Sequence, residues 1–269
     1  MLKKRLITAL WGIPLVVLAV WFSRPEYPFP LFTVLAAVCG LLAAYEFYRI
    51  TGVLKNPALT IFGLVWTLFF IVRPHFTCAQ SLPIIISSGI VLSLTLLVFL
   101  PQKEGLFSQW AWTLAGTFYA GWLLSLLVTL RLDSGRNWLY LALLATFASD
   151  TAAYFIGKTF GRRKLAPNIS PGKTREGAIA GVIGAVIISL FFTLNTPLQL
   201  PIAYWQAIIL GALISFFGQI GDLAESLLKR NAGVKDSGTL MPGHGGLLDR
   251  IDSVVFAGAV VYFFVLMLK

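Results

Sequence analysis

Five of the eleven acidic residues of this chain fall between Asp222 and Asp252: Asp222, Glu225, Asp236, Asp249 and Asp252. On a helix, Asp222, Glu225, Ser226 and Lys229 stand at i, i+3, i+4 and i+7 and share one face, and Asp249 and Asp252 are likewise one turn apart. Two helix ends bearing carboxylates could offer three oxygen ligands to a hard divalent cation. Mg²⁺ is the natural candidate, because it takes few carboxylates and completes its octahedron with water and substrate phosphates. Structural ion pairs, Asp222 with Lys229 or Asp249 with Arg250, are the competing reading. Pairing alone does not call for this density of acids in so apolar a chain.

Between these acids runs Gly-Val-Lys-Asp-Ser-Gly-Thr-Leu-Met-Pro-Gly-His-Gly-Gly (233–246), which includes Asp236. Gly243, Gly245 and Gly246 flank His244 and let backbone amides approach an anion closely, as phosphate-binding loops do; a flexible turn is the alternative. His244 could serve as an acid, as a donor to phosphate or only as a loop residue. A second polar stretch, 157–176, carries Ser170-Pro171-Gly172-Lys173-Thr174-Arg175-Glu176 near its end, with Asp150 upstream. Its Gly-Lys-Thr triplet is not a Walker loop, since Pro167 stands where the first glycine would be. Ser170-Pro171 fits a helix cap with proline at the first helical position. Lys173 and Arg175 would then crowd the first turn, against the helix dipole, a conflict that a bound phosphate would relieve.

The elements that must position these residues are membrane helices. Hydrophobic residues make up 58% of the 269, charged residues 12%, and the mean hydropathy is +0.83. Apolar runs occur at 6–23, 29–48, 58–72, 82–100, 111–130, 138–156, 177–194, 203–221 and 253–268. A helix of about 20 residues crosses a hydrocarbon core of roughly 30 Å, so the expectation is an all-α, polytopic integral membrane protein with about nine spans. Lys and Arg concentrate on the cytoplasmic side of membrane proteins. Sixteen of the 21 fall in the inner connections if the N-terminus is cytoplasmic and the C-terminus outside. The net charge of +10 is thereby explained by topology, and nucleic acid is not implied. The N-terminal run has no small-x-small cleavage site behind it and reads as a retained helix rather than a signal peptide. Cys39 and Cys78 have neither disulfide-framework nor zinc spacing. Residues 1–110 read as a lipid-embedded scaffold, and 111–269 as a catalytic region with cytoplasmic-face loops 157–176 and 222–252.

Ser226-Leu-Leu-Lys229-Arg230, Lys235-Asp236 and Pro242-Gly-His244-Gly245-Gly246-Leu-Leu-Asp249-Arg250-Ile-Asp252 together resemble the signature of the phosphatidate cytidylyltransferase (CDP-diglyceride synthetase) family. Ser149-Asp150-Thr-Ala-Ala-Tyr154 and Ser170 to Gly177 are similar to a second block of that family. Gly172 replaces its usual Lys, and Arg175 a frequent Trp. The resemblance covers 149–252.

It implies Mg²⁺-dependent transfer of CMP from CTP to phosphatidic acid, giving CDP-diacylglycerol and pyrophosphate, at the cytoplasmic face of the inner membrane. Under it Asp222, Asp249 and Asp252 hold Mg²⁺, with a second cation nearby, and are catalytic together with Lys173. Lys173, Arg175 and Lys229 neutralise phosphates. Ser170, Thr174, Ser226, Asp150, Asp236, His244, Gly245 and Gly246 are the remaining substrate-binding candidates, and a homodimer is implied. The rivals are a CTP-dependent lipid kinase, a cytidylyltransferase for another lipid phosphate, and an ion-coupled transporter. The last predicts acids near mid-membrane in paired halves, whereas these cluster toward one face.

Overall fold

A computed structural model describes residues 2–23, 30–76, 80–101, 104–238 and 245–268, with residues 2–9 described by their backbone only. The helices are α1 (Leu2–Trp21), α2 (Leu31–Ile50), α3 (Pro57–Val72), α4 (Ser81–Phe99), α5 (Leu106–Gly116), α6 (Leu123–Asp133), α7 (Arg136–Phe160), α8 (Arg175–Phe191), α9 (Tyr204–Asn231) and α10 (Leu248–Leu268). A π-helical turn, Thr117–Trp122, joins α5 to α6, so that one continuous 28-residue rod answers the fifth apolar run. Each apolar run of the sequence is helical. Among the described residues, seven helices are long and apolar enough to cross a membrane, which makes this a multi-pass membrane protein. The other two are shorter: α8 has 17 residues, and the described apolar part of α1 is Leu10–Trp21. Seventeen residues rise only about 25 Å.

The chain forms two compact units, Met1–Val128 with Asp236–Asp249, and Thr129–Lys235 with Arg250–Lys269. In the first, the buried Tyr48 of α2 is the polar centre of an apolar core. Its hydroxyl donates to the Thr113 carbonyl (3.1 Å) and lies 2.8 Å from Thr117 Oγ1. Gly63 and Gly116 leave the room its ring needs, since a Cβ at either would strike Tyr48.

The second unit is built on α7, α8 and α9, which approach closely through small residues, as helices do where no hydrophobic effect drives them together. A Cβ at Gly211 of α9 would lie 2.7 Å from Val186 Cα of α8. Ser149 Oγ of α7 meets Ser215 Oγ of α9 at 2.7 Å, and Gln219 Nε2 donates to Ser215 Oγ (2.9 Å) and to the Ala178 carbonyl (3.1 Å). This chain ties the three helices one residue before Asp150 and one turn before Asp222.

One expectation needs correction. The all-α fold carries one small hairpin: β1 (Lys164–Ala166) and β2 (Ser170–Thr174) pair antiparallel, Lys164 opposite Thr174 and Ala166 opposite Ser170. Consequently Ser170 and Pro171 do not cap a helix. The cap is Thr174, whose Oγ1 accepts from Gly177 N at 3.2 Å, and α8 begins at Arg175. A first turn from Pro171 would have to hold Gly172, a poor helix former. Pairing with β1 satisfies that backbone instead, and Lys173 lies on a strand, clear of the helix dipole. Glu176 anchors the hairpin by accepting from Arg162 N and Arg163 N at 3.1–3.2 Å.

Enlarging Gly211 to leucine should separate α8 from α9 and lower the thermal midpoint in detergent by several degrees, at about 2–4 °C per kcal/mol for a chain of this size. Glu176 has its carboxyl held below the ordinary 4.5 by its own amide, with the Arg162 and Arg163 amides assisting. A lowered folded value stabilises above the ordinary one and is lost as pH falls through it. The difference in thermal midpoint between wild type and Glu176→Gln should therefore be full at neutral pH and shrink below about pH 4.5.

Candidate functional site

In the second unit, β2, α7, α9 and α10 bring together Lys173, Asp150, Asp222 and Asp252. Lys173 Nζ lies 2.8 Å from Asp222 Oδ2, with the two side chains 24% and 33% exposed. Asp222 Oδ1 accepts from Ser226 Oγ at 3.3 Å, the i, i+4 contact expected from their spacing. Asp252 is buried, and its Oδ1 accepts from Ser253 N at 2.6 Å. Asp150, Asp222 and Asp252 repel one another, while Lys173 attracts Asp150 and Asp252 as well as pairing with Asp222, and Arg250 also attracts Asp150. Three acids beside two cations still leave more acidic than basic groups, in a chain with lipid as its main solvent. Such a place favours a cation.

Lys229 pairs with Glu225, not with Asp222, and the Glu225 side chain is fully buried. Glu225 therefore belongs to the site's surroundings, although spacing alone put it only on the same helix face. Arg175, the first residue of α8, is exposed. Arg230 Nε donates to the Ile169 carbonyl at 3.2 Å, tying the end of α9 to the hairpin.

Asp249 belongs to the first unit. Its Oδ2 accepts from Gly246 N (2.8 Å), Ser237 N (3.1 Å) and Ser237 Oγ (2.8 Å). Gly245 adopts φ +79, left-handed backbone, and a Cβ there would lie 2.6 Å from Asp249 Oδ2, so glycine is required on both counts. Asp236 is exposed, and His244 lies outside the described residues.

The residue the sequence reading missed is Glu46, a buried acid within α2. Its Oε2 accepts from Leu248 N (2.8 Å) and from Ser237 Oγ (3.1 Å). The signal was available, since an acid inside an apolar run defaults to a functional reading; Glu46 lies outside the two recognisable motifs.

Among the described residues, no three Asp, Glu, His or Cys side chains form a ready-made metal cage. The second unit's oxygens fit Mg²⁺ in a different way: a few hard donors in an electronegative place, with water and substrate phosphates completing the shell.

The fold is that of a multi-pass membrane protein, and its second unit carries a carboxylate–lysine cluster. The sequence matches the model of the cytidylyltransferase family over residues 3–268. Among its relatives, the phosphatidate cytidylyltransferase of Bacillus subtilis is 34% identical over 238 residues, 86% of this chain and 87% of that protein. Phosphatidate cytidylyltransferase 5, chloroplastic, of Arabidopsis thaliana is 38% identical, with 87% of this chain and 65% of that protein covered. The uncharacterized protein YnbB of Escherichia coli is 44% identical over 167 residues, and this match spans 62% of the chain and only 55% of YnbB. The chain belongs to the cytidylyltransferase family, and with it to the nucleotidyltransferases.

Asp252→Asn would remove one of three mutually repelling charges. It should raise the thermal midpoint, as relief of like-charge repulsion does, while lowering activity; a lowered midpoint would contradict the repulsion.

Proposed function

We propose that this protein transfers CMP from CTP to phosphatidic acid, giving CDP-diacylglycerol and pyrophosphate, with Mg²⁺ as cofactor. The observation that carries the proposal is the gathering of Asp150, Asp222 and Asp252 about Lys173 in a member of the cytidylyltransferase family.

A phosphatidate oxygen is anionic near neutral pH and attacks the α-phosphorus of CTP directly. The new P–O bond forms as the bond to pyrophosphate breaks. No strong general base is needed, and the protein's task is positioning and charge neutralisation. Lys173 spends one of its three ammonium donors on Asp222 and can direct the others to a phosphate oxygen. That pairing also holds the Asp222 carboxylate in one orientation, with Ser226 bracing its second oxygen. Bound Mg²⁺ would draw charge from the triphosphate; Asp222 and Asp252 would hold it, with Asp249 assigned the same role on the motif alone. Asp150 acts from the outer rim of the cluster. Arg175 and Lys229 supply further positive charge for the phosphates. Ser170, Thr174, Asp236, His244, Gly245 and Gly246 are assigned to substrate through the motif.

The excess of Lys and Arg in alternate connections supports nine spans, a cytoplasmic N-terminus, an outer C-terminus and an active face toward the cytoplasm, in a bacterial inner membrane. Family resemblance supports a homodimer.

The test is purified protein in detergent with CTP, phosphatidic acid and Mg²⁺, following pyrophosphate release, with ATP in place of CTP as control. CTP-specific release is expected, and Asp249→Asn should abolish it while the protein remains folded. Normal turnover by that variant would remove Asp249 from the metal site, and release of CDP in place of pyrophosphate would make the enzyme a lipid kinase.

A further inference from the structure

The last turn of α2 is clamped to the two described edges of the glycine-rich segment. Glu46 and Arg49 are one helical turn apart, and both reach Ser237. The Arg49 guanidinium donates to the Ser237 carbonyl, and the Ser237 hydroxyl lies 3.1 Å from Glu46 Oε2. The same Glu46 oxygen accepts from Leu248 N, at the head of α10, at 2.8 Å. One buried carboxylate therefore spans from residue 237 to residue 248.

Two glycines permit the approach, since a Cβ at Gly238 or Gly246 would collide with the Glu46 carboxylate. Glu46 is 1% exposed, and its Oε1 finds no hydrogen-bond donor among the described residues. Burying an acid this way is costly, and an apolar residue would serve core packing better. The cost is intelligible if the carboxylate is needed where it stands. It touches Asp249 through a single group: the Ser237 hydroxyl, which lies 2.8 Å from Asp249 Oδ2. Serine has one proton for these two carboxylates, and its own amide also donates to Asp249 Oδ2 (3.1 Å), so where Glu46 holds Ser237 bears on the orientation of Asp249, which Gly246 N supports as well (2.8 Å).

We propose that Glu46 is a positioning residue for the cytidylyl transfer: acting through Ser237 and Leu248 N, it fixes those two residues and, through Ser237, helps to orient Asp249. This rests on the phosphatidate cytidylyltransferase reading. Glu46 touches no substrate; its effect passes through the groups it holds. Small displacements of positioned groups cost up to about a hundredfold in rate.

The test compares wild type, Glu46→Leu and Glu46→Gln in detergent with CTP, phosphatidic acid and Mg²⁺, with kcat and KM expressed per folded, monodisperse molecule. Leucine fills the space without an acceptor, and glutamine keeps the acceptor and the shape. Glu46→Leu should lose at least tenfold in kcat/KM for CTP with KM for phosphatidate unchanged, and Glu46→Gln should stay within threefold of wild type. A merely structural role would lower the thermal midpoint and leave kcat per folded molecule intact, which would overturn the proposal. Equal losses in both variants would also overturn it, because a retained acceptor would then not suffice. If Glu46→Leu does not fold, Ser237→Ala decides: a fivefold or greater loss in kcat/KM for CTP is expected, and an unchanged value overturns the inference. An inactive wild type would overturn the underlying reading, and the inference with it, whereas an active wild type with unaffected variants overturns the inference alone.

Discussion

The ion pair between Lys173 and Asp222 is the contact on which the acidic cluster of the second unit is centred. Moving a charged group out of water costs several kcal/mol even after relaxation, and a partner recovers that only where the geometry is good. Here the partner comes from a hairpin strand, and the carboxylate from a helix that continues out of the apolar layer. The pairing joins the polar loop to the bundle. Asp150 and Asp252 leave the arrangement with more acids than bases, since three carboxylates face only Lys173 and Arg250. Acids gathered this way in so apolar a chain default to a functional reading.

Positioning is accomplished by ordinary membrane-helix packing. Small residues let α7, α8 and α9 approach closely, and the Ser149–Ser215–Gln219 chain fixes their relative heights one turn from the acids. In the first unit the equivalent work falls to Tyr48, which centres the core, and to Glu46 and Arg49, which hold the glycine-rich segment by its edges. Both units carry acids on helices and brace them with hydroxyls and backbone amides. Rigid donors of this kind suit a reaction whose catalysis is positioning and charge neutralisation.

Hydropathy made the helices legible, because twenty apolar residues in lipid have few alternatives to a helix. The i, i+4 contact of Ser226 with Asp222 was legible for the same reason, being a property of one helix. Partners across elements were not: spacing offered Lys229 to Asp222, whereas the strand carrying Lys173 supplies the cation and Lys229 turns to Glu225. The start of α8 was misread because Ser170-Pro171 is a good local cap, while its competitor, pairing with Lys164–Ala166, is a tertiary choice. Glu46 was missed although it stands in plain view within an apolar run, because its partners lie about two hundred residues away and its role is visible only once Ser237 and Leu248 are seen beside it.

The central claim is that the α-phosphorus of CTP, and no other, moves to the lipid. It is tested most directly with two labels, CTP carrying radioactive phosphorus at the α or at the γ position, incubated with the purified protein, phosphatidic acid and Mg²⁺. The account predicts that α-label enters the lipid fraction and γ-label appears in pyrophosphate. Entry of γ-label into the lipid, or of neither, would contradict it.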